Sequence, residues 1–426
     1  MNPSNNVFPI RIALNGRYFV DQQGKPFFWL ADTAWPLFAG YSREDAEKYL
    51  TRRAEQGFTV IQGVIAWGDP DPAVSLEGNP PQANYAGEIP WIDNDPTHPN
   101  EAYYQNVDYL LKYAGELGLI IGLLPFWGYH VNQIQIVNTE NAFPYGKWLG
   151  ERYKDVPNLV WINGGDRIPT GFEEVYRRVA HGLRLGDRGA HLITYHPCGW
   201  RSSSQFWANE DWLDFNMIET WTEWPKVYPA VLADSLLVPV KPVVLGEGAY
   251  EDGPEYPLGP ITPLLVRRQA WWAFMAGGFF TYGQNQMWRM ESGWNTTFDT
   301  PGALHMTQFK KIANLRPWWQ SIPDQGLFAS GVSSERTLNA ARRALDSTWA
   351  MLYLSSQCHV LIHLDKILTR QVKATWINPQ DGTTLEAGTY ETGNLIPGAP
   401  FPMAKTGWFS GPGHWEDAIL LLDGVA

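Results

Sequence analysis

Residues 159–169, with the sequence LVWINGGDRIP, are the best starting point for predicting the fold. The four apolar residues at 159–162 have the length and composition of a buried strand. The strand runs into Asn163, two glycines and Asp166, so turn residues carry a carboxyl group at its end. In (β/α)8 barrels the catalytic groups lie at the carboxyl ends of the strands. The stretch therefore predicts a barrel strand that delivers a catalytic acid, Asp166.

The same alternation of strand and helix extends along most of the chain. Eight strands are predicted to start near residues 26, 59, 119, 159, 191, 214, 242 and 278, and a helix follows each of them. Ser42, with Asp45 three residues later, is an N-cap signal for the first helix. The α/β pattern fits a closed (β/α)8 TIM barrel. A doubly wound open sheet is the alternative, but no G-x-G-x-x-G turn supports it.

A different pattern begins after residue 319. Short alternating runs at 348–354, 359–363, 371–377 and 418–422 are separated by turn-forming residues. Such runs predict a small all-β domain and favour a sandwich. We therefore predict two domains. Residues 1–322 hold an N-terminal hairpin and the barrel, and residues 323–426 hold the β-sandwich.

Composition narrows the possible partners and location. The net charge of -12 argues against nucleic acid or an anionic membrane. No apolar stretch approaches the roughly 20 residues that span a bilayer, and residues 1–20 lack the pattern of a signal peptide. We therefore predict a cytoplasmic protein. Aromatic residues reach 14%, with 22 Trp, which favours a carbohydrate ligand because sugar rings stack on such faces, although large cores also use Trp.

The residues at the strand ends should share one cleft if the barrel closes. They include carboxylic acids, which bind hydroxyl groups, and tryptophans, which bind the apolar face of a sugar ring. A small glycoside or oligosaccharide is therefore the predicted substrate. The predicted substrate-binding residues are Asp32, Trp35, Trp67, Trp127, His130, His196, Glu219, Trp221, Tyr282 and Gln284.

Asp166 and Glu247 are the two predicted catalytic residues. They end the fourth and the seventh strand, on opposite sides of the barrel mouth. Hydrolysis of a glycosidic bond uses two carboxyl groups, one that protonates the leaving oxygen and one that attacks or activates water. We assign the acid/base role to Asp166 and the nucleophile role to Glu247, which two glycines flank.

Each candidate also has a structural explanation. Asp166 could cap a helix or pair with Arg167. Glu247 could pair with Arg267 or Arg268. The predicted binding residues could instead be core aromatics, buried histidines, buried carboxylates or helix caps.

A metal centre is the rival chemistry, because histidines and carboxylates at the strand ends could coordinate Zn²⁺ or Mn²⁺. The chain lacks His-x-His and His-Glu-x-x-His spacings, and it also lacks the G-x-S-x-G turn of serine hydrolases. We therefore predict no metal and no cofactor. The residues that the metal alternative would use are Asp32, His130, His196, Glu219 and Glu247.

An ordered set of motifs resembles the apiosidase-like domain of glycoside hydrolase family 140. The set comprises PFFWLADTAW, SREDAEKYLTRRAEQGF with TVIQGVI, VWINGGD, TYHP and VVLGE, within residues 10–320. The resemblance implies a (β/α)8 barrel and retaining hydrolysis with an Asp acid/base and a Glu nucleophile. Asp166 in GGD and Glu247 in LGE match these roles. The implied activity is removal of D-apiose from plant glycosides or pectic side chains, and the C-terminal part resembles a β-sandwich that carries a collagen-binding label.

These observations predict a retaining exo-glycosidase that removes a terminal furanosyl sugar. The long loop at residues 67–99 is expected to narrow the cleft into a pocket. The apparent lack of a signal peptide favours small imported glycosides over intact pectin. The alternative is a non-catalytic carbohydrate-binding protein on a barrel scaffold, which would have no need of both Asp166 and Glu247.

Overall fold

A computed structural model describes residues 7–68, 81–255, 259–290, 293–393 and 405–425. Eight parallel strands form the first part of the chain, and antiparallel strands form the second. The predicted α/β barrel followed by an all-β sandwich is therefore confirmed. The barrel strands are β1 (Leu30–Thr33), β2 (Val60–Ala66), β3 (Ile120–Phe126), β4 (Leu159–Gly164), β5 (Ile193–His196), β6 (Asn216–Glu219), β7 (Val243–Glu247) and β8 (Phe279–Tyr282).

The parallel ladder runs in the order β5-β4-β3-β2-β1-β8-β7-β6. Side chains close the remaining seam between β5 and β6. Asp214 Oδ2 accepts a hydrogen bond from Ile193 N at 2.7 Å, and Thr194 Oγ1 donates to Phe215 O at 2.7 Å. The strands are short and almost wholly buried, as expected for a parallel sheet that is covered on both faces.

Helices surround the barrel. Ser42 caps the first of them by accepting from Asp45 N at 3.1 Å, as its sequence signal predicts. None of the described helices combines the length and the apolar character that a bilayer span requires. The helices are α1 (Arg43–Glu55), α2 (Glu101–Glu116), α3 (Tyr129–Asn132), α4 (Ala142–Tyr153), α5 (Glu173–Gly186), α6 (Ser204–Trp207), α7 (Val227–Ser235), α8 (Pro263–Met275), α9 (Asn285–Arg289) and α10 (Pro301–Ala313).

A small N-terminal sheet packs against one end of the barrel core. Its three antiparallel strands are Arg11–Ile12, Phe19–Val20 and Pro26–Phe27. The ring of Phe19 is fully buried and lies 5.1 Å from the ring of Phe215, which precedes β6. The same ring also packs against aromatic residues next to β1 and in β8, so it fills the space at the amino-terminal ends of the strands.

The all-β domain consists of a six-stranded and a three-stranded antiparallel sheet, which pack around a shared apolar core. The strands are β9 (Ser321–Pro323), β10 (Phe328–Ser330), β11 (Ala340–Ala344), β12 (Trp349–Leu354), β13 (His359–His363), β14 (Gln371–Ile377), β15 (Thr384–Glu391), β16 (Thr406–Ser410) and β17 (Ala418–Val425). The larger sheet has the order β9-β11-β12-β17-β14-β15, and the smaller has the order β10-β13-β16. The predicted boundary between residues 322 and 323 falls inside β9.

Helix α8 holds the two domains together. Arg267 on this helix donates to both carboxylate oxygens of Asp417, with the shortest bond at 2.7 Å. Trp271 on the same helix stacks on Tyr353 of β12 with ring centroids 5.9 Å apart. A buried bidentate pair and a stacked aromatic pair fix the orientation of the second domain behind the barrel wall.

Candidate active site

A cavity of about 360 Å³ opens where the barrel strands end at their carboxyl termini. Carboxylic acids and tryptophans supply most of its wall, which combines hydrogen-bonding groups with flat apolar faces. The site is therefore suited to a ligand that offers both hydroxyl groups and an apolar ring face. The lining residues are Trp35, Trp127, Asp166, Gly199, Trp200, Glu219, Trp221, Glu247, Trp288 and Arg289.

Two glycines bring Asp166 to the cavity. Gly164, Gly165 and Asp166 all have positive φ, at 89°, 116° and 51°. A Cβ atom on Gly164 would lie 2.4 Å from His196 O, and one on Gly165 would lie 2.7 Å from Gly128 N. Positions 164 and 165 of this left-handed turn therefore require glycine. The turn directs the backbone so that Asp166, rather than Asn163, faces the cavity.

Asp166 lies near the mouth of the cavity, with its side chain 39% exposed. Arg167 Nη1 lies 3.2 Å from Asp166 Oδ2 and also donates to the main-chain oxygen of Asp166 at 2.7 Å. Asp166 thus does pair with Arg167, as the structural alternative for this residue predicted. The pairing nevertheless occurs at the wall of the cavity and does not remove the carboxylate from it.

Glu247 ends β7, the third strand round the barrel from β4, and is less exposed, at 12%. The hydroxyl of Tyr250 hydrogen-bonds to the Glu247 carboxylate, and burial together with this negative charge raises the pKa of Tyr250 well above its usual range. Trp35 Nε1 donates to the same hydroxyl at 3.1 Å. Because an indole N–H can only donate, the tyrosine proton is available for Glu247. Arg267 and Arg268 bond elsewhere, to Asp417 and a carbonyl.

His196 connects the two catalytic candidates. The backbone N–H of Asp166 points at His196 Nδ1, 3.3 Å away, so this ring nitrogen is the acceptor. The other nitrogen, Nε2, then carries a ring proton and lies 3.2 Å from Glu247 Oε2, but the two atoms do not form a hydrogen bond. The ring is fully buried and packs edge-on against Trp35 at 5.1 Å. Packing and hydrogen bonding thus fix both the tautomer and the position of His196.

Glu219 is a third carboxyl group in the same cavity. It ends β6 and is the register partner of Glu247, after an irregularity that shifts the pairing between Ile218 and Glu219. Burial, with the negative charges of Asp166 and Glu247, raises the pKa of Glu219 well above its usual range. No described residue hydrogen-bonds to Glu219 Oε2. Burial and the two neighbouring carboxylates therefore favour the protonated form of Glu219.

His196, Glu219 and Glu247 each bring one potential ligand atom within 4.8 Å of the others. Of the residues that the metal alternative named, these three share a site, whereas Asp32 and His130 lie outside this group. The donor set of one imidazole and two carboxylates could hold Zn²⁺ or Mn²⁺. A cation there would use the carboxylate of Glu247, so metal binding and nucleophilic attack by Glu247 exclude each other.

Comparison with known proteins identifies the family. Residues 13–320 match the family described as "Apiosidase-like, catalytic domain", which is more than half of the chain. The chain belongs to this family. Residues 322–423 match the description "Putative collagen-binding domain of a collagenase". Both predicted resemblances are confirmed.

Two solved structures are similar to this apiosidase-like protein over nearly its whole length. One is a glycoside hydrolase family 5 protein from Bacteroides vulgatus ATCC 8482, with 26% identity, a TM-score of 0.85, and coverage of 97% of this chain and 93% of that chain. The other is a glycoside hydrolase with 26% identity, a TM-score of 0.85, and coverage of 97% and 96%. Among curated proteins, no sequence match was found. The apiosidase-like protein is a glycoside hydrolase, and its substrate is a carbohydrate.

Six of the predicted site residues line the cavity of the apiosidase-like barrel: Trp35, Trp127, Asp166, Glu219, Trp221 and Glu247. His196 lies behind them and contacts Glu247. Trp67 also lies behind the residues that line the cavity, with its ring 5.2 Å from that of Trp127. These two residues support the cavity wall rather than form its surface.

The prediction that Asp32 binds substrate is wrong. Asp32 is fully buried, and its Oδ2 accepts from Arg53 Nε at 2.5 Å and from the Tyr49 hydroxyl at 2.6 Å. Both partners belong to α1, so this side chain points out of the barrel toward the helix. Successive residues of a strand face opposite sides, and Asp32 is on the outer side.

Three further predicted binding residues also lie outside the cavity. His130 is buried on α3 against Trp91, and burial lowers its pKa to about 3. The Tyr282 hydroxyl donates to Glu251 at 2.5 Å, and Gln284 caps α9 by accepting a hydrogen bond from the backbone of its first turn. These contacts are structural. The predicted cleft-narrowing loop at residues 67–99 lies partly outside the described residues, at 69–80.

The sequence prediction omitted Trp200, Tyr250, Trp288 and Arg289. It considered mainly residues at the strand ends, whereas these four lie further along the chain, in the connections that follow the strands. Tyr250 follows Glu247 by three residues, and Trp200 follows His196 by four. Extending each strand end by a few loop residues would have included both. Trp288 and Arg289 lie on α9, which the sequence pattern did not predict as a separate helix.

Proposed function

We propose that the protein is a retaining exo-glycosidase that removes a terminal furanosyl sugar, with D-apiose as the first candidate. The observation that carries the proposal is that Asp166 and Glu247 line the same cavity at the carboxyl ends of the barrel strands. Aromatic walls from Trp35 and Trp127 suit the apolar face of a single sugar. The cavity volume of about 360 Å³ favours one terminal residue over an internal segment of a long chain.

Glu247 is the proposed nucleophile. The Tyr250 hydroxyl donates to its carboxylate and His196 Nε2 lies 3.2 Å from it, so two neighbours hold the carboxylate in place. The ionised carboxylate attacks the anomeric carbon as the bond to the leaving oxygen breaks. The product of this step is a covalent glycosyl-enzyme, joined through an ester to Glu247.

Asp166 is the proposed acid/base. Its greater exposure places it toward the mouth, where the leaving group departs. Asp166 gives its proton to the leaving oxygen in the first step and takes a proton from water in the second. Formation of the ester removes the negative charge of Glu247, and this change favours the ionised form of Asp166 that the second step needs.

Apiose is proposed from the family description, since residues 13–320 match an apiosidase-like domain. Members of one fold family differ in substrate because the loops around the strand ends differ. The cytoplasmic location and the preference for small imported glycosides stay predictions from the sequence. The second domain does not line the cavity, and we propose no collagen binding for it.

A panel of 4-nitrophenyl furanosides and pyranosides, including the β-D-apiofuranoside, tests the activity. Asp166→Asn and Glu247→Gln are each expected to lower kcat/KM at least about a hundredfold on the best substrate. Asp211→Asn and Glu44→Gln are matched controls at exposed positions and should behave as wild type. Proton NMR of the first-formed anomer reports retention. Normal activity in either site variant, or an inverted product, would contradict the assignment.

A further inference from the structure

We propose that Trp200 and Trp221 form a stacking platform for the leaving group and select substrates whose aglycone contains a ring. This inference rests on the proposed glycosidase function and extends it to the half of the substrate that departs. The two tryptophans follow β5 and β6 and both line the cavity. They define the platform.

The platform residues differ from nearly all other tryptophans of the chain in their exposure. Of the 22 tryptophans, all within the described residues, only Trp200, Trp221 and Trp408 are strongly exposed, at 50%, 46% and 66%. Trp408 lies on β16 of the other domain. Two large apolar rings that are both exposed to solvent at the rim of one cavity indicate a ligand-binding surface, whereas single exposed residues scattered over a surface do not.

The backbone at both positions is held in an unusual conformation. Trp200 has φ of 66° and Trp221 has φ of 45°, in the left-handed region that bulky side chains rarely adopt. Their ring centroids are 6.2 Å apart, with planes at 44° to each other. Such outliers concentrate at ligand-binding sites, where the surrounding structure holds a side chain in one position. Here the conformation presents two rings side by side at the mouth.

The order of the strands places the platform on the side of the leaving group. Trp200 and Trp221 follow β5 and β6, which lie between the strand that carries Asp166 and the strand that ends in Glu247. Asp166 is the more exposed of the two acids, so the glycosidic oxygen that it protonates faces the mouth. The group attached to that oxygen then lies beside the two exposed rings.

Trp288 is less suitable for this role, although it also lines the cavity. The guanidinium of Arg289 lies over the Trp288 ring at 4.7 Å and occupies one of its faces. Trp35 and Trp127 are buried and belong to the deep part of the site, where the sugar itself reacts. Trp200 and Trp221 are therefore the rings that an outward-pointing aglycone meets.

The ligand chemistry that fits is a six-membered ring with an apolar face, either an aryl group or a second sugar. Both classes stack on indole, whereas a short alkyl group offers little area. The covalent glycosyl-enzyme allows a direct measurement, because any alcohol that binds at the platform can replace water and receive the sugar. The ratio of transfer to hydrolysis then reports acceptor binding independently of the first step.

The experiment compares methanol, benzyl alcohol and methyl β-D-glucopyranoside as acceptors, with the best substrate of the nitrophenyl panel as donor. For wild type, transfer to either ring-bearing acceptor should exceed transfer to methanol at equal concentration. Trp200→Ala and Trp221→Ala should each lower this preference about three- to tenfold. Trp200→Phe and Trp221→Phe should restore most of it, because the ring is retained. Trp408→Ala, the matched control, should leave it unchanged.

An unchanged acceptor preference in both alanine variants, with melting temperatures at the wild-type value, would overturn the platform. A response to only one of the two ring-bearing acceptors identifies the aglycone as aryl or as sugar. If wild type hydrolyses nothing in the panel, the proposed function fails, and the platform is then measured by saturation-transfer NMR. In that measurement phenyl β-D-glucopyranoside should give a stronger signal with wild type than with Trp200→Ala or Trp221→Ala, and equal signals or none would overturn the platform.

Discussion

The imidazole of His196 stands 3.2 Å from the carboxylate of Glu247, with its other nitrogen facing the backbone N–H of Asp166. One buried ring therefore contacts both proposed catalytic residues. It packs against Trp35 and Trp127, and its two nitrogens lie near the carboxylates of Glu247 and Glu219. We infer that His196 positions Glu247.

His196→Leu should lower kcat about 10- to 100-fold, because the polar group 3.2 Å from the Glu247 carboxylate is lost. His196→Gln, which can still direct an amide N–H at Glu247, should retain more activity than His196→Leu. The measurement is the rate of glycosyl-enzyme formation with a 2-fluoro sugar. His181→Leu at an exposed position is the control. Equal losses in the leucine and glutamine variants would show that a polar group at this position does not contribute to the rate.

Azide rescue distinguishes Asp166 from Glu219 as the acid/base. With a 4-nitrophenyl substrate the leaving group needs little protonation, so Asp166→Ala should form the glycosyl-enzyme and then stall. Azide should restore turnover and yield a glycosyl azide of retained configuration. Glu219→Ala should show no such rescue. Rescue of Glu219→Ala instead would transfer the acid/base role to the buried carboxyl group.

The turn before Asp166 gives a test with a closely matched control. Gly164 and Gly171 have nearly the same φ, 89° and 87°, so alanine causes similar backbone strain at both positions. A Cβ on Gly164 would meet His196 O at 2.4 Å, whereas one on Gly171 would meet no atom within 4 Å. Gly164→Ala should therefore lower kcat at least about tenfold more than Gly171→Ala, since small displacements of a catalytic group are costly. Similar kinetics for the two variants would argue against a positioning role for the turn.

The sequence predicted Asp166 and Glu247 at the cavity because each follows a long apolar run and has glycine neighbours. It misplaced Asp32 for a physical reason. Residues 26–35 read as one strand, but Pro26–Phe27 pairs with the N-terminal hairpin and β1 spans only Leu30–Thr33. Which face a strand residue occupies depends on that register, and composition does not determine it.

The rim of the site was harder to predict than its base. Trp200 and Trp221 reach the cavity through left-handed backbone conformations, which no local motif specified in advance. Trp288 and Arg289 are placed by the loop that follows β8, and this loop is fixed by long-range contacts with α1. Periodicity describes the strands and helices that supply the scaffold, whereas tertiary contacts decide where the connecting loops lie.

Glu219 should make the stability of the protein depend on pH. The pKa of Glu219 is raised well above the usual range in the folded state, whereas in the unfolded chain it is about 4.3. The folded state therefore keeps a proton that the unfolded state releases. The contribution of this group to the free energy of unfolding is fully present below about pH 4.3 and is lost as the pH rises through the folded-state pKa.

Glu219→Gln removes this dependence because an amide stays neutral at every pH. The melting temperature of the variant, relative to wild type, should rise by a few degrees between pH 5 and pH 8. Glu44→Gln is the control. Lys48 lowers the pKa of Glu44, so the melting temperature of this variant relative to wild type should not rise with pH. A difference that stays constant, or that falls with pH, would contradict an uncharged Glu219. Differential scanning calorimetry at matched ionic strength supplies the measurement.

The buried pair of Asp32 and Arg53 should stabilise the barrel and hold the loop that carries Trp288. Arg53 also donates to Phe298 O at 2.8 Å and so ties the segment after β8 to α1. Asp32→Asn or Arg53→Met alone should lower the free energy of unfolding by about 3–5 kcal/mol, because each leaves a charge buried without its partner.

The double variant separates the pair interaction from the cost of burial. Asp32→Asn with Arg53→Met leaves no unpaired charge, so it should be less destabilised than the sum of the single variants. The exposed pair of Glu44 and Lys48 is the control, and breaking it should cost far less than breaking the buried pair. Urea denaturation provides the free energies. Additive losses would mean that the two side chains act independently. A full loss of activity in Asp32→Asn without loss of stability would instead support the prediction that Asp32 binds substrate.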